Sequence, residues 1–106
     1  MGDSLERLYK SVIALQKGDP SQSRTARLIR SGRPKIAKKM AEEAVEVVID
    51  ALNGNREAVV RESADLLYHL LVVLESRHIA LDDVLGELER RMGATDLAQK
   101  RKAASG

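Results

Sequence analysis

The chain has 106 residues and a formal net charge of only +2, and 43% of its residues are apolar. It contains two aromatic residues and no cysteine. The lack of cysteine excludes disulfides, thiolate zinc sites and cysteine nucleophiles. The shortage of aromatic rings argues against proteins that read nucleic acids by stacking bases.

The first half of the sequence predicts three helices with clear stop signals. Apolar residues at helical spacing from Leu5 to Ile13 predict a first helix, which the Gly-Asp-Pro sequence at 18–20 ends. Segment 21–32 predicts a loop, a short basic helix and a glycine stop. Pro34 suits the first turn of a third helix, which we expect to run to about Leu52.

The second half continues the helical pattern. Asn55 is a suitable cap for a fourth helix, which we expect to run to about Arg77. A last helix is expected over 81–92, where Gly93 ends it. No stretch alternates with the period of two that a half-buried strand needs. The sequence therefore predicts an all-α chain of four to five helices.

The domain organisation is expected to be simple. A chain of this length fits one domain with a modest aliphatic core, which we assign to residues 1–93. Residues 94–106 are basic and are expected to form a flexible tail. No apolar run approaches the roughly 20 residues that span a bilayer. The N-terminal residues lack the features of a secretory signal, so we expect a cytoplasmic protein with no membrane partner.

Acidic residues recur three positions apart on the third and fourth helices. Glu43 and Glu46 form one pair, and Glu62 and Asp65 form the other. Carboxylates at this spacing share a helix face and repel each other. Because the turn between the two helices is short, the pairs can face each other across an antiparallel hairpin. Four converging carboxylates fit Mg²⁺, which prefers oxygen ligands. Spacing alone leaves a simpler alternative, in which the acids face solvent and pair with lysine or arginine.

The fourth helix carries a histidine beside one of these acids. From Leu66 to Leu74 the helix is apolar nearly all round, which is typical of a buried helix. His69 follows Asp65 by one turn, and we interpret it as a core or interface histidine whose hydrogen bonds are satisfied. The absence of cysteine and of a second histidine nearby disfavours zinc.

Together these motifs resemble those of the phosphoribosyl-ATP pyrophosphohydrolases, an all-α family of the MazG-like nucleotide pyrophosphohydrolase superfamily. The superfamily pattern E-E-x-x-E, followed by E-x-x-D, is filled here by Glu42, Glu43, Glu46, Glu62 and Asp65. An S-x-T-x-x-L pattern at 23–28, DLLYHLL at 65–71 and DVLGELERR at 83–91 narrow the resemblance to the phosphoribosyl-ATP branch. Two positions depart from it: Arg24 stands where the family usually has tyrosine, and Ala41 where it usually has glycine.

The resemblance implies an enzyme that hydrolyses phosphoribosyl-ATP to phosphoribosyl-AMP and pyrophosphate with Mg²⁺, the second step of histidine biosynthesis. The implied metal ligands are Glu43, Glu46, Glu62 and Asp65. Glu42 or Glu46 is expected to orient or deprotonate the attacking water. The expected phosphate-binding residues are Arg24, Arg27, Lys35 and Lys39.

The hairpin of the third and fourth helices carries more apolar surface than so small a chain can cover. We therefore expect a MazG-like helical bundle that is completed by homodimerisation, as the resemblance also implies.

Three alternatives remain open from the sequence. The departures at Arg24 and Ala41 leave room for a MazG-like or dUTPase-like enzyme that acts on another nucleoside triphosphate. A non-catalytic helical module would instead bind RNA or DNA through basic residues 24–39, although we expect no nucleic-acid partner. A structural dimerisation domain would bind no ligand at all.

Overall fold

The computed structural model describes the backbone of residues 2–105 and the side chains of residues 3–93. Five helices follow one another along this backbone: α1 (Gly2–Leu15), α2 (Arg24–Arg30), α3 (Arg33–Leu52), α4 (Arg56–Ser76) and α5 (Leu81–Ser105). The described backbone contains no strand, which confirms the predicted all-α class. Within this same part of the chain, no helix combines the length and the apolarity that crossing a membrane requires.

Local capping signals set the starts of α2 and α4. The Ser23 hydroxyl accepts a hydrogen bond from the backbone N–H of Ala26 at 3.1 Å. The Asn55 side chain accepts one from the backbone N–H of Ala58, also at 3.1 Å. Each cap satisfies one of the N–H groups that a helix leaves unpaired at its start. Gly32 takes a φ of +93° between α2 and α3, a conformation that favours glycine. The predicted bounds of α3 and α4 are therefore confirmed within a residue or two, and α2 lies inside the segment 21–32 that was expected to contain a short basic helix.

The last helix is longer than predicted. We expected it to end at Gly93, but α5 continues to Ser105. A single glycine inside a helix costs only about 1 kcal/mol relative to alanine, and strong helix formers follow it in the sequence. The prediction of a helix end at Gly93 is thus wrong. The flexibility expected of 94–106 stays a prediction, because the side chains there lie outside the described residues.

The core lies where α1 and α2 meet the antiparallel hairpin of α3 and α4, the pair of helices in most extensive contact. Its buried members are Tyr9, Val12, Leu28, Ile36, Leu71, Val72, Leu74 and Leu81. Val72 and Leu71 are almost completely inaccessible, whereas Leu67 in the same stretch is 43% exposed, so the expected burial of the apolar stretch of α4 is confirmed only in part. This packing fixes the rotation of α4 and so decides which of its polar side chains face α2 and α3.

Part of the hairpin remains uncovered. Its exposed large apolar side chains are Val45, Val48, Ile49, Leu52, Val60 and Leu67. Leu52 is 82% exposed and Val60 is 62% exposed. Clusters of exposed apolar side chains commonly mark surfaces that contact another protein.

Candidate metal and phosphate site

Three carboxylates converge between the two helices of the hairpin. Glu43 projects from α3, and Glu62 and Asp65 project from successive turns of α4. Each side chain contributes one carboxylate oxygen, and these three oxygens all lie within 4.8 Å of one another. All three side chains are half-buried. The structure thus brings together three of the four acids predicted to bind a metal. We call Glu43, Glu62 and Asp65 the acid cluster.

The acid cluster has no cationic partner among the described residues. The Oε2 atoms of Glu43 and Glu62 are buried and have no hydrogen-bond partner within residues 3–93. The ion pairs found in the same residues involve only Glu42 and Glu87 as acids. Burying carboxylate oxygens without a donor or a cation is unfavourable. The arrangement therefore does not match acids that face solvent and pair with lysine or arginine. It suits a hard divalent cation such as Mg²⁺, which takes oxygen ligands.

Glu46 lies beside the acid cluster rather than in it. Its side chain is exposed at the surface and is not one of the three that converge. A hydrogen bond with Glu62 and the negative charge of that residue raise the pKa of Glu46 above its ordinary value. Glu46 is thus an immediate neighbour of Glu62 that remains accessible to water.

Glu42 is not part of the acid cluster. It is exposed, and its Oε2 lies 3.9 Å from the Nζ of Lys39, with about half of each side chain accessible. An ion pair this exposed contributes between zero and about 1 kcal/mol to stability. The structure therefore separates Glu42 from the three converging acids.

A basic cavity of about 270 Å³ adjoins the acid cluster. All four residues predicted to bind phosphate line it: Arg24 and Arg27 from α2, and Lys35 and Lys39 from α3. Leu28, Ser31 and His69 complete the lining. Lys39 precedes Glu43 by four residues, a rise of about 6 Å along the helix. A ligand that carries several phosphate groups can therefore contact the basic cavity and a cation at the acid cluster together.

His69 links the basic cavity to the acid cluster. The side chain is 1% exposed, and its Nδ1 lies 2.7 Å from the backbone carbonyl oxygen of Asp65. Because a carbonyl oxygen only accepts, we assign the proton to Nδ1. The Nε2 atom is buried and has no partner among the described residues. The interpretation of His69 as a satisfied core histidine is thus wrong in part: the ring is buried, but only one of its nitrogens is paired.

The family described as "Phosphoribosyl-ATP pyrophosphohydrolase" matches residues 5–92, a range that contains the acid cluster and the basic cavity. This chain belongs to the phosphoribosyl-ATP pyrophosphohydrolase family. Membership confirms the resemblance that the acidic motif and the DLLYHLL segment indicated.

Relatives in three bacteria support this membership. The chain is 57% identical over 100 residues to phosphoribosyl-ATP pyrophosphatase 2 of Rhodopseudomonas palustris, covering 94% of this chain and 76% of that protein. It is 48% identical to phosphoribosyl-ATP pyrophosphatase of Erythrobacter litoralis, over 94% of this chain and 96% of the relative. The enzyme of the same name from Rhizorhabdus wittichii is 45% identical over the whole of both chains.

In this member of the phosphoribosyl-ATP pyrophosphohydrolase family, Arg24 has a defined contact. Its guanidinium lies 5.4 Å from the centre of the Tyr68 ring, within the range of a cation–π interaction. The Tyr68 hydroxyl lies 2.6 Å from Oγ1 of the buried Thr25. Arg24 also lines a second cavity, of about 360 Å³, together with Asp65 and Tyr68. Arg24 therefore reaches both the basic cavity and the side of the acid cluster, a connection that the sequence pattern does not reveal.

Proposed function

We propose that this chain is a Mg²⁺-dependent enzyme that hydrolyses phosphoribosyl-ATP to phosphoribosyl-AMP and pyrophosphate, the second step of histidine biosynthesis. The family membership and the names of the relatives support the substrate. The observation that carries the chemistry is the convergence of Glu43, Glu62 and Asp65, with two buried oxygens that lack a partner, directly beside a basic cavity.

The acid cluster would hold Mg²⁺, and the neighbouring Glu46 would act as a fourth ligand. Mg²⁺, when bound, neutralises the negative charge that develops on the triphosphate as its anhydride bond breaks. The acid cluster by itself would repel a triphosphate, since both are anionic. The chain can therefore bring its carboxylates to the substrate only with a cation between them.

Glu46 is our first candidate for the group that accepts the proton of the attacking water. It borders Glu62 and stays exposed, so a water molecule can reach it while the substrate lies over the acid cluster. Glu42 is the second candidate, one helical turn earlier on the exposed side of α3. Its contact with Lys39 means that its carboxylate has to leave that weak ion pair before it can orient water.

The basic cavity supplies the cations that phosphate oxygens require. Arg24 and Arg27 present planar guanidinium groups, which bind phosphate through paired hydrogen bonds. Lys35 and Lys39 lie one turn apart on α3 and continue the line toward Glu43. These four side chains would hold a phosphate group of the substrate close to the acid cluster.

We further propose that the active form is a homodimer. The exposed apolar residues of the hairpin, among them Val48 and Leu52, form a surface that a second copy of the chain can cover. A two-fold symmetric contact needs only one self-complementary patch. The cytoplasmic location expected from the sequence stays a prediction.

Substitution of the acids tests the proposed chemistry. Glu46→Gln and Asp65→Asn remove a charge without changing the shape of the side chain. We expect each to lower Mg²⁺-dependent pyrophosphate release by about 100-fold or more, because even groups that only support a metal ligand cost 10–100-fold when removed. Circular dichroism should show unchanged helix content. Glu89→Gln, an exposed acid on α5, is the matched control and should keep full activity. Wild-type turnover in both site variants would exclude the proposed metal site.

A further inference from the structure

The basic cavity is cationic at its mouth and has a buried histidine at its base. Arg24, Arg27 and Lys35 are exposed and Lys39 is half-buried, whereas His69 is 1% exposed. All five line the same cavity. A ligand in this cavity therefore meets positive charge first and the imidazole last.

The imidazole offers an acceptor to such a ligand. Its Nδ1–H donates to the carbonyl oxygen of Asp65 at 2.7 Å, and in this tautomer Nε2 is the hydrogen-bond acceptor of the ring. Nε2 is buried and has no partner among residues 3–93. Phosphate oxygens do not satisfy it, because in their ionised form they only accept hydrogen bonds. A hydroxyl group satisfies it by donating.

The required ligand thus has two chemical parts, a phosphate for the cations and a hydroxyl for Nε2. A sugar phosphate has both. The volume of about 270 Å³ is just below the roughly 300 Å³ at which pockets for whole small molecules begin. The cavity therefore suits one portion of a nucleotide substrate and leaves the rest to the acid cluster.

We propose that the basic cavity is the subsite for the phosphoribosyl group, in which a ribose hydroxyl donates to Nε2 of His69 and the sugar's phosphate lies among the four cations. This inference rests on the proposed function, because it assigns a place to the part of phosphoribosyl-ATP that ATP lacks. It makes His69 a residue that determines specificity, while the reacting triphosphate lies at the acid cluster.

Entry of the sugar requires a small rearrangement. Nε2 is not accessible, so a side chain that covers it has to turn aside before a hydroxyl can reach it. Exposed arginine and lysine side chains change rotamer within picoseconds to nanoseconds.

Two substitutions at His69 distinguish the roles of its two ring nitrogens. His69→Asn keeps a donor where Nδ1–H meets the Asp65 carbonyl but removes the acceptor at Nε2. His69→Gln extends an amide oxygen to the position of Nε2 and restores the acceptor. We expect His69→Asn to raise KM for phosphoribosyl-ATP about 10-fold or more, the loss that follows when one hydrogen bond to a buried group is removed. Its kcat should change little, and His69→Gln should restore KM to near the wild-type value.

Binding of ribose 5-phosphate tests the proposed subsite without requiring turnover. Titration calorimetry on the wild-type chain, with no Mg²⁺ present, should show ribose 5-phosphate binding more tightly than inorganic phosphate. His69→Asn should remove that difference, because it should weaken the binding of ribose 5-phosphate about 10-fold and leave the affinity for inorganic phosphate unchanged. Ribose 5-phosphate should also compete with phosphoribosyl-ATP in the wild-type enzyme.

Failure of this inference and failure of the proposed function give different results. If the chain hydrolyses phosphoribosyl-ATP but binds ribose 5-phosphate and inorganic phosphate with equal affinity, the proposed subsite is overturned and the proposed function stands. An unchanged KM in His69→Asn would also overturn it. If His69→Asn does not fold, the comparison of the two ligands on the wild-type chain still decides. Absence of turnover would remove the proposed function, while the calorimetric comparison remains interpretable.

Discussion

The substitution Glu62→Gln should stabilise the chain in the absence of Mg²⁺, and Mg²⁺ should reduce that advantage over wild type. Glu62 contributes one of the three converging carboxylates, and its Oε2 is buried without a partner. Without a cation, the charge of Glu62 is repelled by both Glu43 and Asp65. With a cation, the same charge becomes a ligand. Glutamine keeps the shape of the side chain and removes the charge.

The magnitude follows from the geometry. Two unit charges separated by 4.8 Å repel by roughly 1 kcal/mol in water and by roughly 3–4 kcal/mol at an effective dielectric constant of 20. The acid cluster is half-buried, so the true repulsion lies between these limits. Glu62→Gln removes two such repulsions, one from Glu43 and one from Asp65, and should therefore raise the free energy of unfolding by at least roughly 2 kcal/mol in the presence of a chelator.

Mg²⁺ should stabilise the wild-type chain and have little effect on the variant. A ligand at ten times its Kd stabilises the folded state by about 1.4 kcal/mol. For a domain of this size that corresponds to a rise in Tm of roughly 5–10 °C. The stability advantage of Glu62→Gln over wild type should therefore shrink as Mg²⁺ is added.

Thermal and urea unfolding with a chelator and across a Mg²⁺ series provide the assay. NaCl should hold the ionic strength constant, because salt alone screens the repulsion. Glu89→Gln serves as the matched control and should behave like wild type under both conditions. A Glu62→Gln variant that is less stable than wild type in chelator would refute the repulsion. A wild-type Tm that does not respond to Mg²⁺ would refute the metal site.

Three further predictions concern the core, a buried phenol and the exposed apolar surface. Leu71→Ala should lower the free energy of unfolding by about 2–5 kcal/mol in urea titrations, whereas the same change at the half-exposed Leu88 should cost far less; equal costs would contradict the described core. Burial, together with Glu75, raises the pKa of Tyr9 above 10.0, so the folded chain keeps a proton that the unfolded chain releases. Stability should therefore fall as the pH rises past 10, and Tyr9→Phe should lose less between pH 9 and 11; parallel curves would exclude this linkage. Val48→Asp should convert the proposed dimer to a monomer in light scattering, and an unchanged mass would place the contact elsewhere.

Much of the fold could be predicted because its signals are local. Ser23, Gly32 and Asn55 act on the backbone within three or four residues of themselves, so the sequence is enough to place the ends of the neighbouring helices. Gly93 misled the prediction because a glycine signals a helix end only when its flanking residues also disfavour helix. Here the residues after Gly93 favour helix, and α5 continues.

The candidate site was predictable only in part. The convergence of Glu43 with Glu62 and Asp65 follows from acids at i, i+3 spacing on two helices joined by a short turn. The position of Glu46 depends on the rotation of α3 about its axis, which the packing of Ile36 and its neighbours sets. Helical spacing fixes which residues share a face, but it does not fix which edge of that face meets α4. Glu46 therefore lies outside the group of three.

The environment of His69 could not be read from the sequence. Its position on an apolar helix predicted burial correctly, since burial depends on the pattern of neighbouring residues. Which nitrogen finds a partner depends on the orientation of the ring and on residues from α2 and α3 that are distant in the sequence. The contact between Arg24 and Tyr68 joins α2 to α4 and escaped prediction for the same reason.

Pyrophosphate release by the wild-type chain with Mg²⁺ tests the central claim most directly, with phosphoribosyl-ATP measured beside a panel of ordinary nucleoside triphosphates. We predict turnover of phosphoribosyl-ATP, loss of that turnover in a chelator, and ordinary triphosphates left nearly untouched. Preferred turnover of another nucleotide would keep the chemistry of the acid cluster and contradict the proposed substrate. A folded chain that releases no pyrophosphate from any of them would contradict the proposed function.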